Sequence, residues 1–143
     1  MDPMTPVNCT CFNLRKAARA VTQMYDEALK PCGLRATQLS LLVAVTETGP
    51  TGMTGLAKQL VMDRTTLTRN LKPLLEAGLV EVVEGADRRH KPIAITDQGR
   101  RALAEAMPLW REIQGRMAEG LGSARWAHLI RDLGAAVDLA QGG

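Results

Sequence analysis

The stretch MTGLAKQLVMDRTTLTRNLKPLLEAGLVEVV, residues 53–83, constrains the fold of this chain more than any other segment. Thr54 is placed to cap a short helix with one apolar face. After a two-residue connection, Asp63 is placed to cap a second helix, which runs from Arg64 to about Ala77. Two short helices joined by so brief a turn predict a helix-turn-helix.

A β-hairpin is predicted directly after these two helices. Residues 79–83 and 92–95 are short runs rich in valine and isoleucine, and the polar segment EGADRRHK between them favours a turn. A helix-turn-helix followed at once by a two-stranded hairpin is the element order of a winged helix. We therefore predict one domain over residues 1–143, mainly α-helical with a small β-hairpin wing (α+β), whose winged part spans residues 35–96.

Long amphipathic helices are predicted on both sides of the winged part. From Asn13 to about Lys30, apolar residues recur at steps of three and four, while Thr96 and Ser123 are placed to cap two later helices. A small winged helix alone cannot cover all of these apolar stripes. Residues 8–34 and 97–140 are therefore predicted to form a helical dimerisation region. The alternative is that the stripes pack only within one chain.

Two basic segments fall on the parts of a winged helix that face DNA. The second helix of the motif carries cations and short polar side chains, which suit phosphates and base edges in the major groove. The hairpin tip adds cations, and an arginine there can enter a narrow minor groove. The candidate contacts are Arg64, Thr65, Thr66, Thr68, Arg69, Asn70 and Lys72 on the helix, and Arg88, Arg89, His90 and Lys91 on the hairpin. The alternative is that both segments are only solvated basic surfaces.

The sequence resembles the MarR family of bacterial transcription regulators over nearly the whole chain. The resemblance is carried by GLRATQLSLLVAV, LAKQLVMDRTTLTRNLKPLLEAGLV and the wing string DRRHKPIAITDQGRRAL. It implies a homodimer, usually a repressor on a pseudo-palindromic operator in double-stranded DNA, that is released by a small-molecule effector or by oxidation. It also implies that Arg89 is the wing-tip arginine and that Asp87 orients it through an ion pair. The residues it implies to face the major groove are Thr65, Thr66, Thr68, Arg69 and Asn70.

The first helix begins close to two of the three cysteines. Cys11 continues its apolar stripe, and a free cysteine in that position is usually a small buried hydrophobe. The family's organic-hydroperoxide sensors carry a reactive cysteine followed by phenylalanine at this place, here Cys11-Phe12, and a tyrosine that Tyr25 matches. The chain departs from those sensors at Arg35-Ala36-Thr37, where they usually have a further tyrosine.

The remaining cysteines leave further alternatives open. Cys9 and Cys32 are candidate partners for an oxidised Cys11, and the three thiols together are a weak candidate for a soft metal ion. We predict no bound metal and no cofactor. A packing role for the cysteines, with a small organic effector or none, is the remaining interpretation.

Other function classes find little support in the sequence. The chain has neither a nucleophile–base pair nor a glycine loop that would cradle phosphates, so an enzyme is not expected. No apolar run approaches the length of a membrane span, and the N-terminus does not have the pattern of a secretory signal, which predicts a cytoplasmic protein. A winged helix that binds only proteins is the competing interpretation.

Overall fold

The structure is a computed structural model and describes residues 1–84 and 91–142. Its elements are α1 (Thr10–Leu29), α2 (Ala36–Thr48), α3 (Met53–Leu60), α4 (Arg64–Glu76), β1 (Val80–Val82), β2 (Ile93–Ile95), α5 (Asp97–Leu121) and α6 (Ser123–Ala140). Short 3-10 turns at Pro6–Asn8 and Lys30–Cys32 flank α1. The predicted mainly helical fold with a β-hairpin wing is confirmed.

The two strands form an antiparallel hairpin that also holds the segment before α3. Val80 pairs with Ile95 and Val82 with Ile93. The Thr51 N–H donates to the Ile93 carbonyl at 3.2 Å, and the Ile93 N–H donates to the Thr51 carbonyl at 2.8 Å. The start of α3 is thereby fixed beside the strand that leaves the wing.

The hydrophobic core lies between α2, α4 and the hairpin. The side chains that are almost completely buried include Leu29, Leu42, Val45, Leu56, Leu67, Leu71, Leu74 and Val80. α2 is apolar on nearly all sides because it lies at the centre of this cluster, with α1, α3, α4, α5 and β2 around it. The winged part therefore has its own core, which the end of α1 and the first half of α5 complete.

Two predicted helix caps are confirmed. The Thr66 N–H donates to the Asp63 Oδ1 at 2.7 Å at the start of α4, and the Gly99 N–H donates to the Thr96 Oγ1 at 3.0 Å at the start of α5. Each side-chain oxygen satisfies a backbone donor that the first helical turn leaves free. These caps determine where the two helices begin.

Two other predicted caps are wrong. α3 begins one residue before Thr54 with Gly52 at the cap position, and α6 begins at Ser123 itself with Gly122 before it. Neither helix has a side-chain hydrogen bond at its cap. Gly122 has a φ of 88°, a backbone conformation that few residues other than glycine adopt, and it allows the chain to reverse between α5 and α6.

α6 differs from the other long helices in what it buries. None of its described residues is buried, although it carries a continuous apolar face. α1 is similar over most of its length, because Leu29 at its C-terminal end is its one buried residue. In residues 1–84 and 91–142 we find no helix long and apolar enough to span a membrane.

Candidate nucleic-acid interface

The exposed side of α4 forms a shallow depression of about 510 Å³. Six residues border it and define what we call the reading face: Arg64, Thr65, Thr68, Arg69, Lys72 and Leu75. Their spacing places them on one side of a 3.6-residue helix, opposite the buried Leu67, Leu71 and Leu74. The structure thus brings five of the seven candidate contacts on this helix onto one surface.

Thr66 and Asn70 lie outside the reading face. Both are half-buried, and the Asn70 Nδ2 donates to the Met62 Sδ at 3.6 Å. Helical spacing alone could have predicted this position, because residues 66 and 70 lie one turn apart on the flank next to the buried leucines. Leu75 is the one apolar residue of the reading face, and its side chain is 38% exposed.

The electrostatics of the reading face are predominantly basic. Arg64, Arg69 and Lys72 are all exposed, and Lys72 lies 3.9 Å from Glu76 in an exposed pair that water screens strongly. The hydrogen bonds that Asp63 receives from Thr66, together with the nearby Arg69 charge, lower the pKa of its carboxyl group. Asp63 therefore stays ionised and keeps its cap at neutral pH.

A second depression of about 450 Å³ adjoins the first, and sequence reasoning missed it. It is bordered by residues 50–55, which lead into α3, together with Arg64 and Lys91. The first backbone N–H groups of α3 receive no side-chain cap here, and such groups attract anions. Arg64 borders both depressions, so it joins the start of α3 to the reading face. The turn sequence GPTG directly before α3 was the available signal.

The wing contributes one candidate contact to the described surface. Lys91 is exposed and lies two residues before β2. Asp87, Arg88, Arg89 and His90 lie outside the described residues. Their proposed roles at the wing tip stay predictions.

A large apolar groove, which we call the helix groove, shares no bordering residue with the two depressions. Its volume is about 610 Å³, and α1, α5 and α6 form its walls. Apolar side chains of α6 border it, including Ile130, Leu133 and Val137, each between 36% and 49% exposed. Contiguous apolar surface of this kind marks an interaction site in soluble proteins.

A separate cavity of about 510 Å³ lies between α1, α2 and α5. Its walls include Tyr25, Glu47 and Trp110, which combine aromatic surface with one carboxylate. The Tyr25 hydroxyl is hydrogen-bonded to the Gln114 side chain, and burial raises the pKa of that hydroxyl. Tyr25 also borders the helix groove, so its ring lies between the two spaces.

The structure separates the candidate redox residues along α1. Cys9 and Cys11 are both exposed at its start, where the helix begins at Thr10 instead of the predicted Asn13. Tyr25 is fourteen residues after Cys11, which corresponds to about 21 Å along a continuous helix. Within one chain, the Tyr25 hydroxyl therefore does not reach the Cys11 thiol.

Cys32 lies beyond the opposite end of α1. Its thiol donates to the Leu29 carbonyl at 3.1 Å, and its side chain packs against the core. A disulfide between Cys32 and Cys11 of the same chain is excluded by the length of α1. Among the described residues, no three His, Cys, Asp or Glu side chains are grouped closely enough to hold a metal ion.

Comparisons with known proteins agree with this architecture. The family model described as HVO_A0114 matches residues 33–99, which contain the elements from α2 to β2. The M. tuberculosis transcriptional regulator MosR, in complex with DNA, is similar with a TM-score of 0.80 and 42% sequence identity. That match covers 92% of this chain and 98% of MosR.

Two further solved structures share the fold over almost the full length. A MarR-family transcriptional regulator from Rhodococcus sp. RHA1 has a TM-score of 0.77 and 27% identity, covering 94% of this chain and 95% of that chain. CouR from Rhodococcus jostii RHA1, bound to p-coumaroyl-CoA, has a TM-score of 0.74 and 27% identity, covering 94% of each chain.

Proposed function

This chain belongs to the MarR family of transcriptional regulators, and we propose that it is a homodimeric repressor of a pseudo-palindromic site in double-stranded DNA. The observation that carries the proposal is the reading face, where the cations and threonines of α4 form one exposed surface. Arg69 and the threonines would meet base edges, while Arg64 and Lys72 would hold phosphates. MosR, at 42% identity, was crystallised in complex with DNA.

The second depression extends the proposed interface to the DNA backbone. A phosphate placed there would meet the Arg64 and Lys91 side chains and the free N–H groups at the start of α3. The wing cations Arg88 and Arg89 would follow the backbone into the minor groove, with Asp87 orienting Arg89. We propose residues 35–96 as the DNA-binding part of the single domain.

Pairing of two subunits is proposed through residues 8–34 and 97–140. The chain exposes 10161 Å², whereas a compact monomer of its mass exposes about 7,200 Å². The excess of about 2,900 Å² exceeds the roughly 800 Å² that each partner buries in a standard stable interface. A two-fold dimer would also present the two copies of α4 about one DNA turn apart.

The DNA-binding proposal is tested with Arg69→Ala and Arg89→Ala on the operator DNA. Both variants should weaken binding while the dimer stays folded, because Arg69 is exposed on the reading face and Arg89 is a predicted contact at the wing tip. Wild-type affinity in both variants would refute the proposed interface. A winged helix that binds only proteins would show no steep fall of DNA affinity with salt.

The dimer proposal is tested with Leu133→Glu, which places a charge in the helix groove. We expect a monomer in sedimentation at micromolar concentration, because an unpaired charge would be buried in the interface. Leu139→Glu is the matched control on the same helix, since Leu139 is 82% exposed and does not border the groove. A Leu133→Glu protein that pairs like the wild type would refute this arrangement.

A small organic effector is the proposed releasing signal. The cavity between α1, α2 and α5 supports it, because α1 and α5 belong to the pairing region while α2 supports the reading helix. CouR, at 27% identity, was crystallised with p-coumaroyl-CoA. A panel of aromatic acids should include one that releases DNA from the wild type and not from Trp110→Ala, whose cavity has lost an aromatic wall. Release by no compound in the panel, or equal release from both proteins, counts against this site.

Oxidation of Cys11 is a second proposed signal, supported by the exposure of both Cys9 and Cys11. The Cys11 thiolate would take one oxygen from an organic hydroperoxide, leaving an alcohol, and the resulting sulfenic acid would condense with the Cys9 thiol and release water. Cys11→Ser should abolish hydroperoxide-induced DNA release, whereas Cys32→Ser should retain it. Release that persists in Cys11→Ser would eliminate this route.

A further inference from the structure

Val61 has an unusual backbone conformation in the turn between α3 and α4. Its φ of 55° and ψ of 44° lie in the left-handed region, and it is the one non-glycine residue with positive φ among the described residues. Its N–H bonds to the Lys58 carbonyl, and the Met62 N–H bonds to the Ala57 carbonyl, which is a Schellman ending. Glycine or asparagine usually occupies this position, because a β-branched side chain is strained there.

The Val61 side chain is not held in place by the core of its own chain. It is 52% exposed, whereas the neighbouring Met62 packs against the core. A strained conformation that internal packing does not compensate points to a use of the side chain outside the core. The structure shows where that use lies, because Val61 borders the helix groove.

The helix groove therefore connects two parts of the molecule. Its other lining residues lie on α1, α5 and α6 or at the end of α6, within the proposed pairing region. Val61 alone among them belongs to the helix-turn-helix, three residues before Arg64 begins the reading helix. An occupant that reaches Val61 contacts the turn between α3 and α4.

A second copy of this chain is the occupant that the observations favour. α6 presents an apolar face with no buried residue, and the chain exposes far more surface than a compact monomer of its mass. We propose that Val61 is a contact between subunits, so that the groove of one subunit and its helix-turn-helix turn are covered together when the chain pairs. This inference rests on the proposed dimer.

The test compares dimer dissociation constants of Val61→Gly and Val61→Asn with that of the wild type. Both replacements adopt the left-handed conformation, so the turn should be preserved, and circular dichroism checks the helix content. Burying the exposed half of two symmetric valines favours pairing by about tenfold or more. Each variant should therefore raise the dissociation constant by about tenfold or more. Val82→Asn is the matched control, because Val82 is 47% exposed and lies on β1, away from the groove.

The outcomes separate this inference from the dimer proposal. If Leu133→Glu disrupts pairing but both Val61 variants pair within threefold of the wild type, the Val61 contact is overturned and the dimer stands. The groove beside the turn would then be open to a small ligand or to the end of the same chain. If Leu133→Glu pairs normally, or if the wild type is a monomer, the dimer through this groove and the Val61 contact fall together.

Discussion

Arg64→Ala should change the salt dependence of DNA binding by an amount that the structure allows us to calculate. Arg64 borders both depressions of the interface, and a dimer carries two copies. Each phosphate contact contributes about −0.9 to the slope of log affinity against log salt, so the slope should become shallower by about 1.8. At 0.1 M salt this corresponds to about 60-fold weaker binding, and at 0.2 M to about 20-fold.

The assay is fluorescence anisotropy on the operator duplex at several salt concentrations. The three described cations that are proposed to hold phosphates are Arg64, Lys72 and Lys91. Their part of the wild-type slope is therefore limited to about −5 per dimer. Arg125→Ala is the control. Arg125 is exposed at the start of α6, which follows the C-terminal end of α5, whereas the N-terminal end of α5 follows the winged part. An Arg64→Ala slope within 0.5 of the wild-type slope, or an equal change in Arg125→Ala, would refute the reasoning.

Three further outcomes are expected from the fold. Gly99→Ala should destabilise the chain by about 2–3 kcal/mol in urea unfolding, because a Cβ there would lie 2.1 Å from the Leu79 carbonyl oxygen. Gly55→Ala, where a Cβ has room, should be neutral or stabilising. Equal effects of the two substitutions would contradict the prediction. Because its pKa is lowered in the folded state, the Asp63 carboxylate stabilises the fold at any pH above its ordinary pKa, and this contribution is lost as the pH falls through the lowered pKa. Asp63→Asn should therefore lose less stability in acid than the wild type. An acid unfolding profile equal to that of the wild type would refute this prediction. Tyr25→Phe should lower stability by about 1 kcal/mol, because Gln114 loses its donor, and unchanged stability would show that water replaces it.

The sequence predicted best what depends on neighbouring residues. The caps at Asp63 and Thr96 were correct because a carboxylate or hydroxyl three residues before a free N–H suffices to make them. The caps at Thr54 and Ser123 were wrong because each residue lies inside its helix: α3 begins at Met53 after Gly52, and α6 begins at Ser123 after Gly122. Propensity alone does not distinguish these two kinds of start.

The candidate interface was predictable only where it depends on residues that are close together in the sequence. Helical periodicity placed the cations of α4 on one face, and closer use of the same periodicity would have moved Thr66 and Asn70 to its flank. The second depression depends on the pairing of Thr51 with Ile93, which are 42 positions apart in the chain. No local pattern indicates which residues that pairing places beside Arg64 and Lys91.

The apolar face of α6 shows the deeper limit of periodicity. An amphipathic stripe has the same spacing whether it packs within its own chain or against another molecule, so the sequence supported both alternatives. In the structure, α6 buries no described residue within its own chain, and its apolar side chains border a wide groove. Since the same groove reaches Val61 beside the reading helix, pairing would both shield the apolar surface and hold the turn in its strained conformation. A dimer formed in this way would bring its two reading helices to DNA already oriented.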